Sequence, residues 1–186
     1  MKNKKIKKFY CIGDSITNGA RNEYYRDYVL ELNYLFKNSN VIFLNDSVNG
    51  ETTSEILKRA IKVVVNNNPD GIFFLGGTND SKIPIPFNIF EKNIKTLIGI
   101  CKKKKVKLLL GLIPKIYSGL PAYSQQNGNL TITKYNNLIK INAKSEKIPL
   151  VDLSKLAENF FIDGIHTSNK GCEKIARLIK IIINKI

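Results

Sequence analysis

Ser15 and His166 are the residues around which chemistry could be organised in this chain. A serine hydroxyl becomes a useful nucleophile only when a base takes its proton. The sequence holds a single histidine, so only one imidazole is available for that task. Asp163 lies three residues before it, in the run Asp163-Gly164-Ile165-His166. On one loop that spacing lets the carboxylate accept from one ring nitrogen while the other faces the hydroxyl, which fixes the tautomer and stabilises the imidazolium. The run is followed by Thr167-Ser168, which can cap a helix, so the loop could serve structure and catalysis at once. Acyl transfer also needs donors for a developing oxyanion. The backbone N–H groups of Ser15 and Gly50 and the side-chain amide of Asn79 can supply three. Taken singly, Gly50 could be an ordinary turn glycine and Asn79 an Asx-turn residue.

Other chemistries lack their residues. There is no G-x-x-x-x-G-K-S/T phosphate loop, no G-x-G-x-x-G and no H-E-x-x-H. Ser15 stands in Gly13-Asp14-Ser15, not in the G-x-S-x-G elbow of α/β-hydrolases. With one histidine and no cysteine cluster, a catalytic zinc site is not expected. Cys11, Cys101 and Cys172 are far apart and read as buried, reduced thiols that behave as small hydrophobes.

These residues need elements to hold them. Short apolar runs at 9–12, 41–44, 72–75, 106–112 and 148–151 alternate with stretches of helical period. The runs are mostly β-branched, aromatic or leucine, as in strands buried on both faces. Between them, Tyr25, Tyr28, Val29 and Leu32 share one helix face, and Ile56, Leu57, Ala60 and Ile61 another. Phe90, Ile94 and Leu97 mark a third helix, Tyr135, Leu138 and Ile139 a fourth, and Ile175, Ala176 and Ile179 the last. The alternation predicts an α/β fold, a parallel sheet with helices on both sides. In such sheets ligands bind beyond the carboxyl ends of the strands. The segments holding Ser15, Gly50, Asn79 and the Asp163–His166 pair each follow a predicted strand, so they converge on one edge. Residues 113–130 read as one long connection, of the kind that usually carries function.

The chain has 186 residues, 43% hydrophobic and 24% charged, which fits one globular domain over 1–186. No apolar run approaches the roughly 20 residues that cross a bilayer. The basic N-terminus lacks the apolar length and cleavage site of a signal peptide. A cytoplasmic protein is expected. The net charge is +15, carried mostly by lysine. Specific phosphate recognition favours arginine, and no RNA- or DNA-binding signature is present, so no nucleic-acid partner is expected.

Four blocks together resemble the SGNH, or GDSL-like, hydrolase family. Gly13-Asp14-Ser15-Ile16-Thr17 is similar to its nucleophile block, and Asn49-Gly50 with Thr52-Thr53 to its glycine block. Gly77-Thr78-Asn79-Asp80 is similar to its asparagine block, and Asp163-Gly164-Ile165-His166 with Asn169, Gly171, Ile175 and Ala176 to its terminal block. The resemblance implies a flavodoxin-like three-layer α/β/α sandwich with a five-stranded parallel sheet in the order 2-1-3-4-5. It implies hydrolysis of esters or thioesters without a metal or organic cofactor. It assigns Ser15, Asp163 and His166 as catalytic residues, and Ser15, Gly50 and Asn79 as the oxyanion hole. The family commonly carries glycine where Asn45-Asp46-Ser47 has its serine.

The partner expected is a small-molecule ester. Tyr117, Tyr123 and Arg21 are candidates for binding it, with Tyr24, Tyr25 and the pair Gln125-Gln126 nearby in sequence. A small acyl group such as acetyl on a carbohydrate is one reading. A lysophospholipid or acyl thioester is its rival, and a non-catalytic binder on the same fold is a third. Oligomeric state is not legible in the sequence.

Overall fold

A computed structural model of the protein describes residues 6–22, 26–83, 85–118 and 120–185, with only the backbone at 122 and 123. Tyr24 and Tyr25, and the side chain of Tyr123, lie outside the described residues.

Five strands form one parallel sheet: β1 (Lys7–Gly13), β2 (Val41–Ser47), β3 (Gly71–Leu75), β4 (Lys107–Leu112) and β5 (Leu150–Asp152). Their order is β2-β1-β3-β4-β5. Side chains along a strand alternate between faces, and here both faces are covered. Ile72, Phe74, Leu108 and Leu110 point into one core with α3 (Thr53–Asn67), α5 (Phe87–Lys104) and α6 (Ala122–Glu146). Phe73, Leu75 and Leu109 point into the other with α2 (Tyr28–Leu35) and α7 (Asn169–Ile183). That two-sided burial is why the strands read as unbroken apolar runs rather than as alternating ones.

The register sets where the strands stop. Gly13 pairs with Ser47 on one side and Leu75 on the other, so β1, β2 and β3 end level. Ser47, at the position where glycine is common, fits this ladder, and its hydroxyl donates to the Asn45 side chain. Two short helices begin at this edge: α1 (Ser15–Asn18) directly after β1, and α4 (Thr78–Lys82) two residues after β3 ends. Ser15 and Asn79 therefore lie in the first turns of helices.

The reading of residues 113–130 as one connection is corrected. Helix α6 starts at Ala122, so only the first half is irregular. Gly128 suggested a break, but it is buried under Ile116 and beside Ser81, where a helix needs a small residue to pass. Its buried positions, Gly128, Ile132, Tyr135, Ile139 and Ala143, follow helical period. A β-branched stretch, Thr131-Ile132-Thr133, masked that period locally because such residues favour strands. Strand β5 starts after Pro149, which has no N–H to give to the ladder.

Candidate active site

The site begins with a tight turn. Asp14 caps α1, its Oδ1 accepting from the Ile16 N–H at 3.0 Å. Ser15 thus becomes the first helical residue, at the carboxyl end of β1, with its N–H among the donors that a helix start leaves free. The other Asp14 carboxyl oxygen is buried without a hydrogen-bond partner among the described residues. Burial pushes that carboxyl up to about 6, against the Ile16 N–H and the Lys82 charge, which pull it down.

After β5 a 3-10 turn at Glu158–Phe160 leads into a compact loop. Phe161 and Thr167 bridge its ends, and Ser168 caps α7 by accepting from the Gly171 N–H at 3.2 Å. At the loop's head Asp163 Oδ1 accepts from the backbone N–H groups of His166 (2.8 Å) and Ile165 (3.0 Å). Gly164 makes the turn possible with φ +79°, and a Cβ there would sit 2.3 Å from the Ser118 nitrogen. The segment after β4 holds the loop from outside, since Tyr117 N–H donates to Gly164 (2.9 Å) and Ser118 Oγ to the Asp163 carbonyl (3.1 Å).

These contacts aim one ring at one hydroxyl. His166 Nδ1 lies 2.8 Å from Asp163 Oδ2, and Nε2 lies 3.1 Å from Ser15 Oγ. The carboxylate accepts only, so Nδ1 carries the proton and the Nε2 lone pair faces the serine. Burial raises the Asp163 carboxyl, but the N–H groups of His166 and Ile165 and the His166 ring outweigh it and bring it to about 2. Arg21 adds a further cation: its Nη1 is 2.7 Å from the same Oδ2 that faces the imidazole.

Gly50 lies past β2, with φ +80° and open space where a Cβ would be. Its N–H has no acceptor among the described residues. The loop around it is clamped from below by Arg59 of α3. That guanidinium donates to the Gly13 carbonyl at 3.0 Å, to Asp46 Oδ1 at 2.7 Å, and to the Asp46 carbonyl and the Glu51 carboxylate. Asn79 is the second residue of α4; its amide donates to the Glu51 carbonyl at 2.9 Å and has a second N–H to spare. Asp80, raised by burial, accepts from the Thr53 N–H (2.9 Å) and hydroxyl, and Asn93 donates to Thr53 Oγ1 at 3.0 Å. So α3, α4 and α5 are pinned together directly beneath Asn79.

The cleft above Ser15 measures about 620 Å³ and includes Asn18, Arg21, Asn49, Gly50, Asn79 and Lys82 in its lining. A slightly larger hollow, about 700 Å³, opens at the opposite edge of the sheet, between α5 and α6. Its lining includes Ser145, with no histidine beside it, and Cys101, whose thiol is pushed up to about 12 by burial and is inert at neutral pH. Among the described residues no group of three or more His, Cys, Asp or Glu side chains is placed to hold a metal ion.

Of the residues expected to act, the structure brings Ser15, Gly50, Asn79, Asp163 and His166 to one edge. Arg21 reaches the cleft too, but by way of Asp163. Tyr117 does not line it: the hydroxyl donates to the Leu156 carbonyl and the ring packs on Phe161 with centroids 5.5 Å apart. Gln125 is spent on the carbonyls of Ile116 and Tyr117. Sequence reasoning missed Arg59, Lys82 and the hydrogen-bonded pair Asn18–Asn49 (2.8 Å) at the rim. For Arg59 a signal existed, since it is one of only four arginines in a lysine-rich chain.

Comparison with known proteins followed the same lines. The sequence profile of the GDSL-like lipase/acylhydrolase family matches residues 11–174. A lipase/acylhydrolase from Enterococcus faecalis is similar in structure, at 25% identity over 96% of both chains, with a TM-score of 0.81. An acetyl xylan esterase is 23% identical over 94% of this chain and 98% of its own, with a TM-score of 0.78. A variant of an acetyl-xylooligosaccharide esterase from Geobacillus is 21% identical over 98% of this chain and 96% of its own, also at 0.78. No curated protein matches by sequence.

Proposed function

We infer the activity of this protein from one premise: the chain belongs to the GDSL-like lipase/acylhydrolase family. We propose that it is a serine-dependent ester hydrolase acting on small acyl esters, O-acetyl groups of carbohydrates among them. The observation that carries this reading is the relay from Asp163 Oδ2 through both ring nitrogens of His166 to Ser15 Oγ, at 2.8 and 3.1 Å.

In the proposed reaction His166 Nε2 takes the Ser15 proton as Oγ bonds to the carbonyl carbon. The carbonyl electron pair moves to oxygen and is held by the N–H groups of Ser15 and Gly50 and the Asn79 amide, each such donor being worth on the order of 10²–10³ in rate. Collapse breaks the ester C–O bond, and the alcohol leaves with the proton from His166. A water deprotonated by His166 then attacks the acyl-serine, and the acid departs as Ser15 regains its proton. No step calls on a cofactor. Arg21 would contact the substrate at the leaving-group side, next to His166. The reduced state of the three buried, unpaired cysteines supports a cytoplasmic setting.

The cleft lining favours a short acyl group, because asparagines and cations dominate it and, among the described residues, no large apolar side chain lines it to pack along an alkyl chain. The acetyl-ester activity named for two similar structures points the same way. Turnover of 4-nitrophenyl esters from C2 to C12 tests this. The reading expects kcat/KM to peak at C2–C4 and fall at least tenfold by C8. A maximum at C8 or beyond would instead favour the lysophospholipase or thioesterase reading.

A further inference from the structure

We propose that the cleft selects esters bearing a negative charge, with Lys82 as the residue that reads it. This rests on the esterase reading and adds the substrate class to it. Among the described residues lining the cleft there are two cations, Arg21 and Lys82, several asparagines and no carboxylate. Arg21 is already engaged by Asp163 at 2.7 Å. Lys82 is exposed and makes no ion pair among the described residues. Buried Asp14 feels its charge but makes no ion pair with it among the described residues. Lys82 sits three residues beyond Asn79, one turn further along α4, and lines the same cleft as the Asn79 amide.

Position also separates Lys82 from the general basicity of the chain. The run Lys102, Lys103, Lys104 and Lys105 ends α5 beside the start of β4, at the opposite edge of the sheet. At about 0.1 M salt, charges more than about 10 Å apart are largely screened. Those lysines draw anions to the molecule as a whole but do not sort them at Ser15. A carboxylate or phosphate carried by the ester, placed beside Lys82, would exchange water for a direct ammonium partner. The asparagines would take its remaining acceptor sites.

The test compares matched pairs of esters differing by one charge. On the alcohol side they are 4-acetoxybenzoate and its methyl ester; on the acyl side, mono-4-nitrophenyl adipate and its methyl ester. In the wild-type protein at about 0.1 M salt the anionic member of at least one pair should have the higher kcat/KM, by about fivefold. The preference should vanish in 1 M NaCl. Lys82→Gln should bring the anionic-to-neutral ratio to about one, and Lys103→Gln, an equal change of net charge at the far edge, should leave the ratio as in wild type. No preference in either pair, a preference surviving Lys82→Gln, or its equal loss in Lys103→Gln would overturn the proposal, while Ser15-dependent turnover of the neutral esters would leave the esterase reading standing. Failure to turn over any of the four would overturn both.

Discussion

At the residue scale the arrangement depends on Asp163 staying ionised while it orients His166. Its carboxyl lies at about 2, below the ordinary aspartate range, because backbone and ring donors outweigh burial. A depressed folded value adds stability above the unfolded one, near 3.9, and that contribution is lost as pH falls through about 2. Across any range where esters are assayed, Asp163 therefore carries its charge and keeps accepting from His166 Nδ1. Asp163→Asn should cut kcat on the order of 10⁴-fold, by presenting the wrong tautomer to Ser15. Stopped kinetics from pH 5 to 9 check this, and a variant with near wild-type kcat at pH 8 would contradict the role. Much of this scale was legible in the sequence. A lone histidine with an aspartate three positions before it leaves few alternatives. Tyr117 was not legible, because a tyrosine in a loop looks the same whether its hydroxyl faces a substrate or the Leu156 carbonyl.

At the scale of elements, the strand ends do not position the donors unaided. Arg59 gathers the end of β1, the end of β2 and the loop after it onto α3 through one guanidinium. Its fork suits that task where a lysine's point charge would not. Arg59→Met keeps the bulk of the stem but leaves the Asp46 and Glu51 carboxylates facing each other unpaired. We expect a loss of about 2 kcal/mol in unfolding free energy. We also expect kcat to fall about ten- to hundredfold as Gly50 loses its support. Denaturant titration and steady-state kinetics measure the two separately, and unchanged kcat in a folded Arg59→Met protein would show that the Gly50 loop holds its place without the clamp. The sequence placed Arg59 correctly on a helix but could not say that the helix passes under the edge of the sheet, since that depends on strand order. Helix α6 was half hidden for a similar reason: Gly128 looks like a breaker until its neighbours Ile116 and Ser81 are known.

For the whole molecule, four segments distant in sequence meet at the carboxyl edge of one parallel sheet. The alternation of apolar runs and amphipathic stretches was enough to predict the layers. Strand order was not in that pattern. It followed from resemblance to a family and is borne out as β2-β1-β3-β4-β5. The size and polarity of the cleft were not legible, because they arise from side chains such as Asn18, Asn49 and Lys82 that no periodicity marks. The convergence itself is tested most directly by reaction with a serine-directed fluorophosphonate followed by peptide mass mapping. One label per chain is expected, on the peptide holding Ser15, absent in Ser15→Ala and slowed at least a hundredfold in His166→Ala, with ester turnover lost in parallel. Labelling confined to another residue, or ester hydrolysis that survives Ser15→Ala, would contradict the account.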